Sequence, residues 1–187
     1  DGIELDGDLA DWGERGLRVT LFSNEKGLLP QPWDIGAEAR LGWDDQGLVA
    51  AVTVHDNHPL ENHADGRLWA SDSVELFLLS TQGEKPLVQL VVAPGRDPAH
   101  PEPRHQVYTA REAGETEAGF GARETEDGYI VEARLPFAAV GIDGTKPPEL
   151  GAQIFVNDSD VPAHRYRLRW YPLKEPKKRW GSAGNWH

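Results

Sequence analysis

Apolar and polar residues alternate with a period of two along most of the chain, and no long segment has the 3.6-residue period of a helix. Residues 73–80 show this pattern clearly, because Val74, Leu76 and Leu78 would lie on one face of a strand and Glu75 on the other. Similar segments predict further strands at residues 17–22, 37–43, 47–55, 87–93, 120–124, 128–135, 151–157 and 166–170.

Turn residues separate these segments at short intervals. Residues 44–47, with the sequence DDQG, would join two strands as a hairpin, and residues 96–104 would form a loop. A helix is indicated only at residues 136–140, where a proline occupies the first turn. The pattern therefore predicts an all-β fold, an antiparallel β-sandwich of jelly-roll type with about ten strands and little helix. Since no linker or repeat interrupts it, we expect residues 1–187 to form a single domain.

Composition narrows the classes of partner. The net charge of −12 repels phosphate backbones, which argues against nucleic acid. No apolar run is long enough to predict a membrane span. The chain has no cysteine, and a core of this size needs no disulfides, so a bacterial exterior and a cytoplasm are both compatible. It opens at Asp1 without methionine, so we expect a fragment of a longer protein with linked neighbouring domains.

Tryptophan is abundant, with seven residues beside four tyrosines and five phenylalanines. A flat indole packs well against the apolar face of a sugar ring, although any single tryptophan is more often part of the core. Composition thus permits a sugar-binding role without identifying the residues that would perform it.

Seven segments follow one another along nearly the whole chain: residues 3–12 (IELDGDLADW), 41–49 (LGWDDQGLV), 52–56 (VTVHD), 69–77 (WASDSVELF), 128–137 (GYIVEARLPF), 152–158 (AQIFVND) and 170–172 (WYP). In this order, the segments resemble family 9 carbohydrate-binding modules. The resemblance implies a secreted, non-catalytic bacterial module that binds plant-type polysaccharide, such as cellulose or xylan, at chain ends. It also implies bound calcium and a sugar held between two tryptophans.

The resemblance assigns the sugar-binding residues one by one. Trp69 matches the tryptophan on one side of the sugar, and Trp180 is the candidate for the opposite side. Glu75 matches an acid that accepts hydrogen bonds from sugar hydroxyls, and its alternative role is an ion pair with an arginine. Gln89 lies where the family places hydroxyl-binding groups, and Lys177 where it often has an amide.

Other candidates are weaker. Trp186 is the alternative to Trp180, and Asn157 and Asp158 continue the next strand edge. Trp12 and Trp43 occupy positions that are structural in the family, and Trp170 alternates within a strand as a core residue would.

Acidic residues near strand ends are the candidates for calcium, which prefers several oxygen ligands. We assign Asp56, which follows a strand, and Asp72, which begins one. A second group of acids, Asp6, Asp8 and Asp11, lies near the start of the chain and is equally compatible with turns or caps.

Three further functions compete with sugar binding, and one further metal site has to be weighed beside them. A haem-binding electron-transfer sandwich is disfavoured, and no haem is expected, because the chain has no methionine to serve as an axial ligand. A zinc site at His55, His58 and His63 would require a loop to fold around the metal. A glycosidase needs paired carboxylates, and none lies in a recognised catalytic motif. A structural or protein-interaction module without glycan binding remains the main alternative.

Overall fold

In a computed structural model of the protein, the described residues are 2–24, 26–31, 33–61, 66–80, 86–109, 118–137, 150–161 and 166–171. They contain two single-turn 3₁₀ helices, Leu9–Trp12 and Leu68–Ala70. None of the helices in this part of the chain has the length and apolar character that crossing a membrane requires. The ten strands are β1 Leu17–Val19, β2 Ile35–Trp43, β3 Gly47–Asp56, β4 Ser73–Ser80, β5 Pro86–Ala93, β6 Arg104–Thr109, β7 Gly119–Thr125, β8 Gly128–Pro136, β9 Leu150–Asp158 and β10 Tyr166–Arg169.

The strands form two antiparallel sheets of five strands each. The first sheet has the order β1-β2-β3-β8-β7, and the second has the order β10-β9-β4-β5-β6. Alternate residues of both sheets meet in one buried apolar cluster, to which β4 contributes Val74, Leu76 and Leu78 as the alternation predicts. The predicted all-β sandwich is therefore confirmed.

Two differences from the predicted elements have a physical cause. The first strand ends at Val19 rather than at residue 22, because the chain then leaves the first sheet and Ser23 bridges to Arg169 beside the second sheet. Strand β6 was not predicted, since Val107 is the only aliphatic residue between residues 104 and 109. The predicted helix at residues 136–140 lies mostly outside the described residues, and Pro136 ends β8.

The outer face of the first sheet is covered by the N-terminal segment. Trp12 is buried there against Val49 and Ala51. The carboxylate of Glu132, which is fully buried, accepts hydrogen bonds from the Trp12 indole N–H at 2.6 Å and from two backbone N–H groups of that segment, those of Asp6 at 3.1 Å and Gly7 at 2.8 Å. One buried carboxylate thus fastens the start of the chain to β8, and burial raises its pKa.

We expect Glu132→Gln to lower the free energy of unfolding by about 1–2 kcal/mol, because the amide keeps one acceptor oxygen but turns its NH₂ group toward donors. Chemical denaturation monitored by tryptophan fluorescence measures this difference. Glu38→Gln is the matched control, since Glu38 is exposed on the same sheet. Equal stability of the two variants would contradict the fastening role of Glu132.

Candidate functional site

The outer face of the second sheet carries polar and aromatic side chains in three rows across the strands. Strand register places Phe155 and Glu75 opposite each other in the central row. On one side, Arg167 pairs with Asn157, which pairs with Ser73. On the other side, the row is formed by Gln153, Phe77, Gln89 and Tyr108. The alternation that buries Val74 and Leu76 in the core therefore aims Glu75 outward into this array.

Glu75 is the centre of a buried hydrogen-bond network. The residue is 2% exposed. Oε1 accepts from Asn157 Nδ2 at 2.8 Å and from an Arg167 guanidinium nitrogen at 2.9 Å, and Oε2 accepts from Gln89 Nε2 at 2.6 Å. Asn157 also accepts from Arg167 Nε at 2.6 Å and donates to Ser73 Oγ at 3.0 Å. The alternative considered from the sequence, an ion pair between Glu75 and an arginine, is therefore present in the structure.

This network limits what the carboxylate can offer to a ligand. An ionised carboxylate has about four acceptor positions. Asn157, Arg167 and Gln89 fill three of them, so roughly one position remains for an incoming hydroxyl. The side-chain oxygen of Gln89 and its second N–H add one acceptor and one donor beside it.

A cavity of ≈ 310 Å³ lies over the network. Two phenylalanines form part of its lining, Phe77 and Phe155, with ring centroids 4.7 Å apart in an edge-to-face arrangement. The Arg167 guanidinium lies 4.9 Å from the centre of the Phe155 ring. The cavity is lined by Trp69, Glu75, Phe77, Gln89, Tyr108, Phe155 and Arg167.

Trp69 contributes the indole of the cavity and belongs to the 3₁₀ helix Leu68–Ala70. This helix is anchored by Leu68, which is buried against Val91 and Ala93 on β5. Trp69 itself is half-buried, and together with Tyr108 of β6 it packs against this same apolar cluster. The Arg67 guanidinium lies 5.7 Å from the centre of the indole ring.

The structure brings part of the predicted sugar site together. Trp69, Glu75 and Gln89 all line the cavity. Lys177 and Trp180, and the alternative Trp186, lie outside the described residues. Asn157, a weak candidate from the sequence, hydrogen-bonds directly to Glu75.

Arg167 and Tyr108 were missed by sequence reasoning. In Tyr166–Arg169 the alternation around the buried Leu168 already places Arg167 on the outer face, but nothing local connects it to Glu75. Tyr108 was missed with its strand. A strand assignment for residues 104–109 would have placed it on the same face as Gln106.

Three other tryptophans were interpreted as structural. Trp12 is 1% exposed, as expected, and Trp170 is half-buried against the core and stacked on Tyr171 with ring centroids 4.5 Å apart. The structural interpretation of Trp43 is wrong, because this residue, the last of β2, is 74% exposed.

A cluster of three buried carboxylates lies where strands of the two sheets end. Asp56 ends β3, Asp72 precedes β4, and Asp158 ends β9. Each is at most 5% exposed, and one oxygen from each lies within 4.8 Å of the others. The two acids assigned to a metal from the sequence, Asp56 and Asp72, are thus neighbours in space, and the third acid was missed as a ligand.

Most oxygens of this cluster have protein partners. Asp72 accepts from the backbone N–H groups of Leu60 at 2.6 Å and Ser159 at 2.9 Å. Asp56 accepts from Arg96 at 2.7 Å. Asp158 Oδ1 is buried without a hydrogen-bond partner. It is the atom of the cluster that most needs a positive ligand.

The pKa values of these acids also indicate that the cluster lacks positive charge. Burial, followed by the charge of Asp56, raises the pKa of Asp72 to about 9, and the same two causes raise the pKa of Asp158 to about 7. Arg96 forms an ion pair only with Asp56 among these three acids. Asp158 also belongs to a second group with the half-buried Asp34 and Asp160. The oxygen-only donor set fits a hard divalent cation such as calcium.

The histidines and the acids near the start of the chain, which were also considered as metal ligands, make other contacts. His55 is exposed and lies 2.8 Å from Asp127, and no histidine joins a potential metal group within the described ranges, from which His63 is missing. Near the chain start, Asp6 and Asp8 accept from backbone N–H groups two residues ahead, as turn and cap aspartates do.

The sandwich and its outer-face cavity define a β-sheet binding module whose cavity combines aromatic surface with a few convergent polar groups. Over residues 5–186, the sequence matches the family described as carbohydrate family 9 binding domain-like. The chain belongs to this family. No curated protein sequence matched the chain.

Solved structures with the same fold include a family 9 carbohydrate-binding module from Caldicellulosiruptor kristjanssonii, in complex with cellotriose and with glucose. Both match at 20% identity over 100% of this chain, with TM-scores of 0.66 over 87% of that chain and 0.69 over 90%. A protein from Bacteroides uniformis ATCC 8492 matches with a TM-score of 0.67 at 10% identity, covering 97% of this chain and 90% of that chain.

Proposed function

We propose that this chain is a non-catalytic module that binds plant-type polysaccharide, a cellulose-like glucan or xylan, at the end of a chain. The observation that carries the proposal is the cavity in which Trp69 stands beside the hydrogen-bond network of Glu75. Family membership and the neighbouring structures with cellotriose and glucose support a sugar as the ligand.

The chemistry of the cavity suits a neutral sugar. Among the described residues that line it, one is an acid, Glu75, and one is a base, Arg167, and the two form an ion pair at 2.9 Å. The indole of Trp69 offers a flat apolar surface for the C–H face of a pyranose ring. Glu75 then accepts a hydrogen bond from one sugar hydroxyl, and the Gln89 amide donates a hydrogen bond to the neighbouring hydroxyl or accepts one from it.

Recognition in this cavity would depend more on stacking than on hydrogen bonds, because the protein itself already uses most of the acceptor capacity of Glu75. A second indole opposite Trp69 would complete a sandwich around the sugar. Trp180 remains our candidate for that role, with Lys177 beside it, and Trp186 is the alternative.

A binding role accords better with this cavity than hydrolysis does. Glycosidases use a pair of carboxylates flanking the scissile bond. Among the described residues that line the cavity, Glu75 is the only carboxylate, and its partners are protein donors. In a secreted parent protein, such a module would hold a linked catalytic domain near its polymer and raise its effective concentration there.

Titration calorimetry with cellotriose and xylotriose tests the proposed function. We expect Trp69→Ala to raise the dissociation constant by at least about tenfold, since truncating an aromatic anchor of a binding site to alanine costs about 2 kcal/mol or more. Trp33→Ala is the matched control, because Trp33 is 75% exposed and does not line the cavity. Binding that is unchanged in Trp69→Ala would contradict the assigned site, and absence of glycan binding by the wild type would favour a protein-interaction module.

We also propose that the acid cluster holds a structural calcium ion. Asp56, Asp72 and Asp158 would supply its oxygen ligands, and Asp34 and Asp160 could serve a second ion that shares Asp158. The support is the buried, unpartnered Oδ1 of Asp158 and the excess of buried negative charge. A bound cation would neutralise that charge and fasten the ends of β3 and β9 to the start of β4.

A further inference from the structure

We propose that Trp43 forms a second binding site for neutral polysaccharide, on the first sheet and separate from the cavity around Trp69. The class of ligand rests on the proposed function, but each of the two sites can fail without the other. Trp43 is the last residue of β2 and is 74% exposed. An indole that is left open to solvent at the end of a strand offers a flat apolar surface to a ligand.

Trp43 borders a cavity of ≈ 110 Å³, which also involves the N-terminal segment. Gly16, Gly42 and the ring of the buried Trp12 form part of its lining. A Cβ atom at Gly42 would lie 3.6 Å from Trp12 Cζ3, and one at Gly16 would lie only 2.9 Å from the same atom, so the lack of side chains at both positions keeps the cavity open. Since this cavity is smaller than the one of ≈ 310 Å³ over Glu75, we expect it to hold one edge of a sugar and to bind weakly.

The polar groups next to Trp43 are of the same kind as those in the larger cavity. Asp44 lines the smaller cavity, and its Oδ2 accepts a hydrogen bond from Arg134 at 2.8 Å. In the larger cavity, Glu75 and Arg167 form the corresponding pair at 2.9 Å. In both places, therefore, an indole lies beside an acid whose charge is balanced by an arginine.

This lining favours a neutral sugar over a charged ligand. Among the described residues that line the cavity, Asp44 is the one acid and Arg15 the one base, and the Arg15 guanidinium donates to backbone oxygens of the first 3₁₀ helix. The carboxylate of Asp44 has about four acceptor positions, of which Gln46, Gly47 and Arg134 fill three. About one position thus remains for a hydroxyl, beside an indole that suits the C–H face of a pyranose.

The two sites lie on different sheets. Trp43 ends a strand of the first sheet, whereas Trp69 precedes β4 of the second sheet. A polysaccharide presents the same sugar unit many times, so one module with both sites could contact two segments of polymer. The second contact would raise retention on an insoluble polymer more than affinity for a short oligosaccharide.

Nuclear magnetic resonance of the Trp69→Ala variant tests the inference, because the stacking surface of the larger cavity is then absent. In a two-dimensional nitrogen–proton spectrum, the indole N–H resonance of Trp43, assigned as the one that Trp43→Ala removes, should move progressively as cellotriose is added. The resonance of Trp33 is the matched control and should stay in place, since Trp33 is 75% exposed and does not line this cavity. Gly42→Ala, which adds a methyl group beside Trp12, should reduce the movement of the Trp43 resonance.

Retention on insoluble cellulose provides a second measurement. We expect Trp69→Ala to keep part of its retention. The double variant Trp69→Ala/Trp43→Ala should bind about fivefold or more weakly than Trp69→Ala, which is the effect of truncating a contributing aromatic side chain. The matched double variant Trp69→Ala/Trp33→Ala should be retained like Trp69→Ala.

The outcomes separate the second site from the first. A Trp43 resonance that stays in place, with equal retention of the two double variants, overturns the second site and leaves the Trp69 site to its own calorimetric test. If Trp69→Ala binds cellotriose like the wild type in calorimetry while the Trp43 resonance moves, the site at Trp69 fails and the site at Trp43 stands. A moved Trp43 resonance, together with weaker retention only when Trp43 is replaced, supports the second site.

Discussion

Replacement of Glu75 by alanine is expected to raise the dissociation constant for cellotriose by about 100-fold or more. The substitution removes the acceptor for three side chains at once, those of Gln89, Asn157 and Arg167. It also leaves the guanidinium of Arg167, whose side chain is 18% exposed, without its carboxylate. Breaking a buried ion pair in this way costs about 3–5 kcal/mol, which is enough to rearrange the floor of the cavity.

Glu75→Gln separates the charge of this residue from its shape. The amide fits the same space but offers one acceptor oxygen, so we expect an intermediate loss of affinity. Combining it with Arg167→Gln gives a double-mutant cycle. If the two residues act as a pair, Arg167→Gln will weaken binding less in the Glu75→Gln background than in the wild type.

Calorimetry and chemical denaturation should be measured on the same samples, so that loss of binding is distinguished from loss of folding. Glu38→Ala is the matched control, because Glu38 is an exposed acid on the other sheet. Wild-type affinity in Glu75→Ala would show that the network is only structural and that the ligand binds elsewhere.

The sequence predicted the fold well because the two faces of each strand differ in polarity. In Ser73–Ser80 the predicted bounds agree with the structure, and Val74 and Leu76 are in the core while Glu75 faces outward. The same rule fails for β6, whose inward face is supplied largely by Val107. A strand at the edge of a sheet needs fewer apolar residues, so its alternation is weak.

The candidate site was predicted only in part, because its contacts join residues that are far apart in the chain. Arg167 and Glu75 are 92 residues apart, and no local pattern connects them. Trp69 and Glu75 could be predicted from the sequence because they lie in one short segment that resembles the family. Asp56 and Asp72 were selected from their positions at strand ends, but only the pairing of β9 with β4 brings Asp158 beside Asp72.

Removal of divalent cations is expected to lower the melting temperature by roughly 5–10 °C. A ligand present at about 100 times its dissociation constant stabilises the folded state by about 2.7 kcal/mol. For a domain of this size, 1 kcal/mol corresponds to roughly 2–4 °C. Thermal unfolding in calcium and in EDTA measures the difference, and addition of excess calcium to the EDTA sample should restore the original value.

The Asp158→Asn variant gives a sharper test of the cation site. Without the cation the substitution should not lower stability, and with the cation it should. In EDTA the wild type holds three buried acids beside the one arginine that pairs with Asp56, and burial together with their mutual repulsion raises the pKa of Asp72 and of Asp158. Replacing one acid with a neutral amide relieves that repulsion and should leave the variant at least as stable as the wild type. In calcium the variant lacks a charged ligand, so it should be less stable and should lose most of its response to the ion. Asp45→Asn, at an exposed position in the β2–β3 turn, should respond to calcium as the wild type does. A melting temperature that is the same in calcium and EDTA, with Asp158→Asn destabilised equally in both, would contradict a cation at this cluster and leave its acids to be neutralised by protons.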